Sequence, residues 1–194
     1  MKTFTEPQLL ADKSRLQEIF DLRVYAWENS PSPVNINKRT YPNGLFDKLD
    51  QSAIHKVSYN KNNEIIAAER VNILHDLKEL PYPEQFMNVS LPDERPFLYS
   101  SRLVIHPDYR KIGIKELYDN ARLRFQVENN FAFSLATTFT HRTKELTKFG
   151  WQDYGETKLI KNYPFSRSES VLIIFLVNAK IALNDFEKIS KITR

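Results

Sequence analysis

The chain has 194 residues, of which 41% are hydrophobic and 27% charged, with a formal net charge of +4. That balance can bury a sizeable core and excludes a largely disordered polymer. It contains no cysteine, which excludes disulfides, thiolate metal sites, a CxxC redox motif and a cysteine nucleophile together.

In chain order, the first element is a helix from about Ser14 to Asn29. Ser14 and Gln17 have capping-box spacing, and Leu16, Ile19, Phe20 and Trp27 share a stripe that also contains Arg23. Pro31 and Pro33 end it. A polar stretch from Asn35 to Asp50, with room for a short second helix, leads into a hairpin. Its first strand carries Ala53, His55, Val57 and Tyr59 on one face; its second carries Ile65, Ala67, Glu69, Val71 and Ile73. A three-residue turn at Lys61–Asn63 would set His55 opposite Glu69, and a slip of one residue would break that pairing. From His75 to Pro96 the chain has Pro81, Pro83, Pro92 and Pro96 and little periodicity. This long excursion is either a lid over a site or a solvated insertion.

The next segments read as a strand over Phe97–Ile105, the turn HPDYRKIG, a helix to about Asn129, a strand over Phe131–Phe139, a short helix and GWQDYG. In the long helix Ile114, Leu117, Tyr118, Ala121 and Phe125 recur at helical spacing, leaving Arg122, Arg124 and Glu128 to face water. The turn therefore opens onto a helix N-terminus, where unpaired N–H groups and the positive end of the helix dipole favour an anion. Gly113 permits close backbone approach, and Arg110, Lys111 and Lys115 add positive charge. Those three cations are equally compatible with a solvated helix start.

On these residues the chain resembles a known family. RLVIHPDYRKIGIKELYDNA resembles motif A of the GNAT superfamily of acyl-CoA N-acyltransferases, in which a strand leads into R/Q-x-x-G-x-G/A. Arg110 and Gly113 match; the last position is Lys115 instead of Gly or Ala. DLRVYAWE resembles the first helix of subfamilies related to autoinducer and N-acyl amino acid synthases. NNEIIAAERV falls where the family has a hairpin, and TKELTKFGWQDYG is similar to motif B, so the likeness runs from about Arg15 to Gly155. YSSRLVIHP resembles the E-x-S-R-L strand of acyl-homoserine-lactone and ornithine-lipid synthase relatives, with Tyr99 at the acidic position.

The resemblance implies an α/β (α+β) fold: a mixed, twisted sheet of six to seven strands, splayed near Val104, with helices on both faces. It implies acetyl-CoA, or another acyl-CoA, as cofactor, held by Leu103, Val104 and Ile105 and by the loop Arg110, Lys111, Ile112, Gly113, Ile114 and Lys115. The reaction it implies is direct attack of a primary amine of a small or amino-acid-like acceptor on the thioester, without a covalent enzyme intermediate. The tyrosine acid common in the family stands four residues before the motif B glycine, and that position is Leu146. His141 or Tyr118 is the substitute acid, and Glu69 or Tyr99 occupies a position suited to a base. Each has a plainer alternative: His141 as a surface or capping residue, Glu69 as the ion-pair partner of Arg23, Arg70 or Arg102. Arg102, with Arg23, is a candidate for holding an acceptor carboxylate, or for an internal pair. Tyr99, Phe139 and Trp151 are core residues first and pocket residues second.

The alternative function is a non-catalytic acyl-CoA-binding or sensing domain of the same fold. Nucleic acid is not an expected partner, because the basic residues form no dense tract with interleaved aromatics. One domain over residues 1–194 is expected, monomeric or homodimeric. MKTFTEPQLL lacks the pattern of a secretory signal, and the longest apolar run, Val171–Val177, has strand length. A cytoplasmic protein with no membrane span and no metal is the corresponding expectation.

Overall fold

The computed structural model describes residues 3–30, 41–87, 89–139, 143–147, 150–156, 172–177 and 181. Their elements are β1 (Gln8–Leu9), α1 (Leu16–Glu28), β2 (Ile54–Tyr59), β3 (Ile65–Leu74), β4 (Phe97–Ile105), α2 (Ile114–Glu128), β5 (Ser134–Phe139), α3 (Thr143–Thr147), β6 (Trp151–Glu156) and β7 (Leu172–Val177). The chain divides into two compact units.

The described residues of the first unit are 3–30, 41–71 and 101–118. Here β1 pairs antiparallel with β2, and β2 with β3. Helix α1 starts after a short 3-10 turn over Lys13–Arg15 whose cap is Asp12, which accepts from the Ser14 N–H at 2.9 Å. The Ser14/Gln17 capping box expected from spacing is not formed. Asp12 stands one residue before the 3-10 turn and takes the cap, while the Gln17 amide donates to Asp21 and to the Asn43 carbonyl.

The stripe on α1 faces the sheet. Ile19, Leu22 and Ala26 bury against Val57, Ile65, Ala68 and Val104, flanked by Leu16, Phe20 and Trp27. Ile66 and Ala67 pack with Ile114 and Tyr118 at the start of α2. Ala67 and Ala68 are successive strand residues and point to opposite faces, so this unit has helix on both sides of its strands. From Ile65 to Val71 both faces of β3 are therefore dry, and at roughly 1.5–3 kcal/mol for each large side chain fully buried, this packing is the main stabilising term.

In the β2–β3 ladder, Tyr59 pairs with Ile65, as the three-residue turn requires, but Ser58 pairs with Ala67. A bulge at Ser58/Tyr59 thus shifts every later pair by one residue. His55 lies opposite Arg70, and Glu69 lies opposite Lys56. The expected His55–Glu69 pairing is corrected: the extra residue of the bulge moves Glu69 to the other sheet face.

In the second unit, the described residues are 72–87, 89–100, 119–139, 143–147, 150–156, 172–177 and 181. β4 and β5 pair in parallel at Leu98–Ser134 and Tyr99–Leu135, and β7 pairs antiparallel with both β5 and β6. The β4–β5 ladder ends at Tyr99, although β4 runs on to Ile105. Phe97 stacks on Phe133 with centroids 5.2 Å apart. The excursion after β3 contains two 3-10 turns, Leu77–Glu79 and Pro83–Phe86, with Leu80 and Phe86 buried.

Arg124 and Glu128 on α2 are exposed, as expected. Arg122 is not: it bonds Asp119 at 3.1 Å and sits over the Trp151 ring at 5.9 Å. The apolar side of α2 is wider than the sequence stripe, for Leu123 and Gln126 are also buried. Gln126 accepts from the Ser134 hydroxyl at 2.7 Å, which satisfies its amide oxygen there.

Candidate active site

Two groups of candidate residues lie within the first unit, a buried charge cluster and the loop between β4 and α2. The cluster begins with Gly44. Its φ is +88°, and a Cβ there would lie 2.8 Å from the Phe20 Cβ, so only glycine lets this segment close on α1. That approach brings Asp47 and Asp50, at the ends of a capping box, beneath the α1 side of the sheet. Asp47 caps the 3-10 turn over Lys48–Gln51, and the Asp50 carboxylate accepts from the Asp47 N–H.

Both carboxylates also bind arginine. Asp50 receives Arg23 through two bonds, 2.9 and 3.1 Å, and Arg70 at 3.0 Å. Asp47 receives Arg70 at 2.6 Å and Arg102 at 3.1 Å. Arg23, Asp50, Arg70, Asp47 and Arg102 thus form one chain of alternating charge. Arg23 has no exposed surface, and Arg70 is 1% exposed. Arg23 also donates to the Leu45 carbonyl. Its guanidinium is committed to the protein interior, whereas the side chains of Arg102 and Asp47 are partly open at 9% and 18%.

Burial alone would raise the Asp47 carboxyl, but the guanidinium groups of Arg70 and Arg102 more than reverse that and hold it at about 2. Asp50 is likewise held below its ordinary value, burial opposing and Arg23 prevailing. Arg23 is lowered by burial to about 10 and remains charged. His55 touches the cluster, its Nε2 being 3.3 Å from the Asp50 carbonyl oxygen. Burial, then the positive charge of Arg23, keeps its pKa below the ordinary value.

Glu69 lies outside this cluster. It has no exposed surface and shares a sheet face with Lys56 and Ala67, the face on which Tyr118 packs. The Tyr118 hydroxyl donates to the Ala67 carbonyl at 3.0 Å, so this candidate acid already serves the strand backbone.

The loop is held from three sides. The His106 N–H donates to the Ile66 carbonyl at 2.8 Å. The Tyr109 hydroxyl accepts from the Asn60 amide at 3.3 Å. The His106 ring lies between those of Tyr25 and Tyr109, at 5.1 and 5.9 Å. Arg110 bonds the carbonyls of Ile105, Asn29 and Ala26. Lys111, with φ 61°, and Gly113, with φ 91°, then turn the backbone into α2. A Cβ at Gly113 would meet nothing within 4 Å, so glycine is required there by conformation, not by crowding within the protein. Lys111 and Ile112 are exposed, Lys115 is half-buried and Ile114 is 1% exposed. Of the strand before the loop, Val104 is buried, with Leu103 and Ile105 half-buried. Arg102 has φ 59° within β4, a left-handed residue that costs on the order of 1–3 kcal/mol and breaks the regular presentation of this strand's carbonyls.

In the second unit, Tyr99 is 7% exposed and Trp151 3%, both core positions. Leu146 is half-buried on α3. His141 lies outside the described residues, as does the side chain of Phe139. The structure thus joins Arg23 to Arg102 through Asp50, Arg70 and Asp47 and keeps the residues of the 110–115 loop together. The aspartates were missed as cluster members. The available signal was FDKLD, two acids at capping-box spacing beside a glycine, but sequence spacing did not say that arginines would surround them.

No family model matches the chain, and no curated protein is similar enough in sequence to count as a relative. Solved structures do match. The CoA-dependent acyl-homoserine lactone synthase BjaI, solved with MTA, aligns with TM-score 0.71 and 12% identity over 94% of this chain and 88% of its own. FeeM, an N-acyl amino acid synthase from uncultured soil microbes, aligns with TM-score 0.64 and 9% identity over 94% of each chain. A conserved protein of Enterococcus faecalis V583 aligns with TM-score 0.54 and 16% identity over 78% of this chain, which spans 33% of that protein's length. The chain therefore has a GNAT-like fold, a mixed α+β arrangement. Its neighbours include acyl-transferring synthases. Among the described residues, no helix is long and apolar enough to cross a membrane.

Proposed function

We propose that residues 1–194 form one acyl-CoA-dependent N-acyltransferase domain that moves an acyl group, acetyl by default, to the primary amine of a small or amino-acid-like acceptor. The observation that carries the reading is the loop after β4. Lys111 and Gly113 both adopt left-handed conformations immediately before the first N–H groups of α2, the arrangement that cradles a pyrophosphate. Lys111 and Lys115 supply charge to it, and the β4 backbone at Leu103–Ile105 supplies groups for the pantetheine arm. An N–H near Val104 polarises the thioester carbonyl. The amine nitrogen bonds to that carbonyl carbon, the C–S bond breaks, and the departing thiolate takes a proton. Glu69 or Tyr99 takes the ammonium proton on this reading, and His141 supplies the acid. Arg102 holds an acceptor carboxylate from the partly open end of the charge cluster, while Arg23 acts on the acceptor side only through Asp50.

Calorimetric titration with acetyl-CoA, CoA and a longer acyl-CoA at two salt concentrations tests the cofactor assignment. Submillimolar binding that varies with acyl length supports it; no binding to any of them removes the enzyme reading. A second reading, a domain that binds acyl-CoA without turnover, is favoured by Leu146 at the position of the usual tyrosine acid. The two part on one assay: the enzyme releases free thiol when a suitable amine is supplied, and the sensor does not.

A further inference from the structure

The side chain of Arg110 points away from the role its charge suggests. Its Nη2 donates to the Ala26 carbonyl at 2.6 Å, its Nη1 to the Asn29 carbonyl at 2.7 Å, and its Nε to the Ile105 carbonyl at 3.2 Å. Ala26 and Asn29 end helix α1, which has no basic residue in its own last turn. The last carbonyls of a helix are without intrahelical donors and carry the negative end of its dipole. Ser30 does not serve Ala26, because its N–H bonds the Trp27 carbonyl instead. Arg110 brings a cation to this end of the helix from elsewhere in the chain and is half-buried in doing so, with burial lowering its pKa.

The position in the loop gives this cap a consequence. Arg110 directly precedes Lys111, whose left-handed φ of 61° costs a non-glycine residue about 1–2 kcal/mol. Three charge-assisted bonds from a planar fork fix the start of the loop on two separate elements, α1 and the end of β4, and offset that strain. Lysine has the charge but not the fork, and cannot span the same three carbonyls.

We propose that Arg110 is a positioning residue that holds the 110–115 loop in its anion-binding conformation by capping α1, and that its guanidinium does not touch the bound anion. This rests on the acyl-CoA reading above. The test is titration of acetyl-CoA into wild type, Arg110→Lys, Arg110→Gln and Lys111→Gln over a range of salt. A positioning role predicts that Arg110→Lys and Arg110→Gln weaken binding to a similar extent, by about tenfold or more, each keeping the wild-type dependence of log Kd on log salt. Lys111→Gln, which removes a phosphate contact, flattens that dependence. If Arg110→Lys binds within about threefold of wild type while Arg110→Gln binds weakly with a flattened salt dependence, Arg110 is a phosphate ligand and the proposal falls.

A measurement on the unaltered protein covers the case of variants that do not fold. The Arg110 Nε–H resonance should exchange slowly without ligand and keep its shift when CoA is added; a large shift on binding overturns the proposal. Wild type that binds no CoA overturns the acyl-CoA reading itself, an outcome distinct from wild-type binding matched by Arg110→Lys.

Discussion

Asp50 grips Arg23 through both carboxylate oxygens where the guanidinium has no contact with solvent. A buried charge of this kind is tolerable only while its partner is present. Asp50→Asn should therefore cost about 3–5 kcal/mol, because the buried Arg23 loses its carboxylate partner and Arg70 keeps only Asp47. Urea denaturation measures it, and replacing Arg23 and Asp50 together by apolar residues of similar size should recover much of the loss. A single-variant cost below about 1 kcal/mol would mean the cluster is not a structural keystone.

The same cluster sets a pH response. Asp47 titrates at about 2 in the folded protein and near its ordinary value of 3.8 when unfolded. Its stabilisation, on the order of 2 kcal/mol, is therefore fully present above about pH 4 and lost as pH falls toward 2. Asp50, also lowered, adds in the same direction. His55 is held below its ordinary 6.5, so the unfolded chain takes up that proton first and stability starts to decline below about pH 6.5. Thermal melts from pH 7 to 2 should show both phases, and His55→Asn should remove the earlier one.

Gly113 separates conformation from packing. Because nothing lies within 4 Å of a Cβ built there, Gly113→Glu should fold, at about 1–2 kcal/mol for the left-handed backbone. The added carboxylate would face the anion, and acetyl-CoA affinity should fall by about a hundredfold or more. Unchanged affinity in a folded variant would remove the loop from the cofactor site.

Glu69→Gln keeps shape and hydrogen-bonding capacity while deleting charge. If Glu69 takes the ammonium proton, kcat should fall about tenfold or more with the KM for acyl-CoA unchanged. Loss of several kcal/mol of stability, with unaltered turnover per folded molecule, would instead assign Glu69 to buried pairing on the α2 side of the sheet.

Lys115 is the departure from the motif and has its own test. Lys115→Gly gives the loop the glycine of the motif it resembles. Affinity for CoA should decline and lose part of its salt dependence if the ammonium pairs with the pyrophosphate. Tighter binding would show that the side chain crowds the cradle.

Local patterns in the sequence determined the elements. The strand over Phe97–Ile105, the turn that follows it and the helix beginning at Ile114 are legible because alternation, glycine and helical spacing are properties of neighbouring residues. The place of Arg23 on the apolar stripe was legible for the same reason, but its burial against Asp50 was not. The bulge at Ser58/Tyr59, which puts Arg70 instead of Glu69 opposite His55, was not: one extra residue depends on how two strands meet, and no composition rule marks it. Nor did spacing reveal that Asp47 and Asp50 would gather Arg23, Arg70 and Arg102, or that Arg110 would cap a helix 81 residues earlier in the chain. Those choices belong to tertiary structure, because a buried charge must find whatever counter-charge or carbonyl the packed chain brings within about 3 Å, wherever it lies in the sequence.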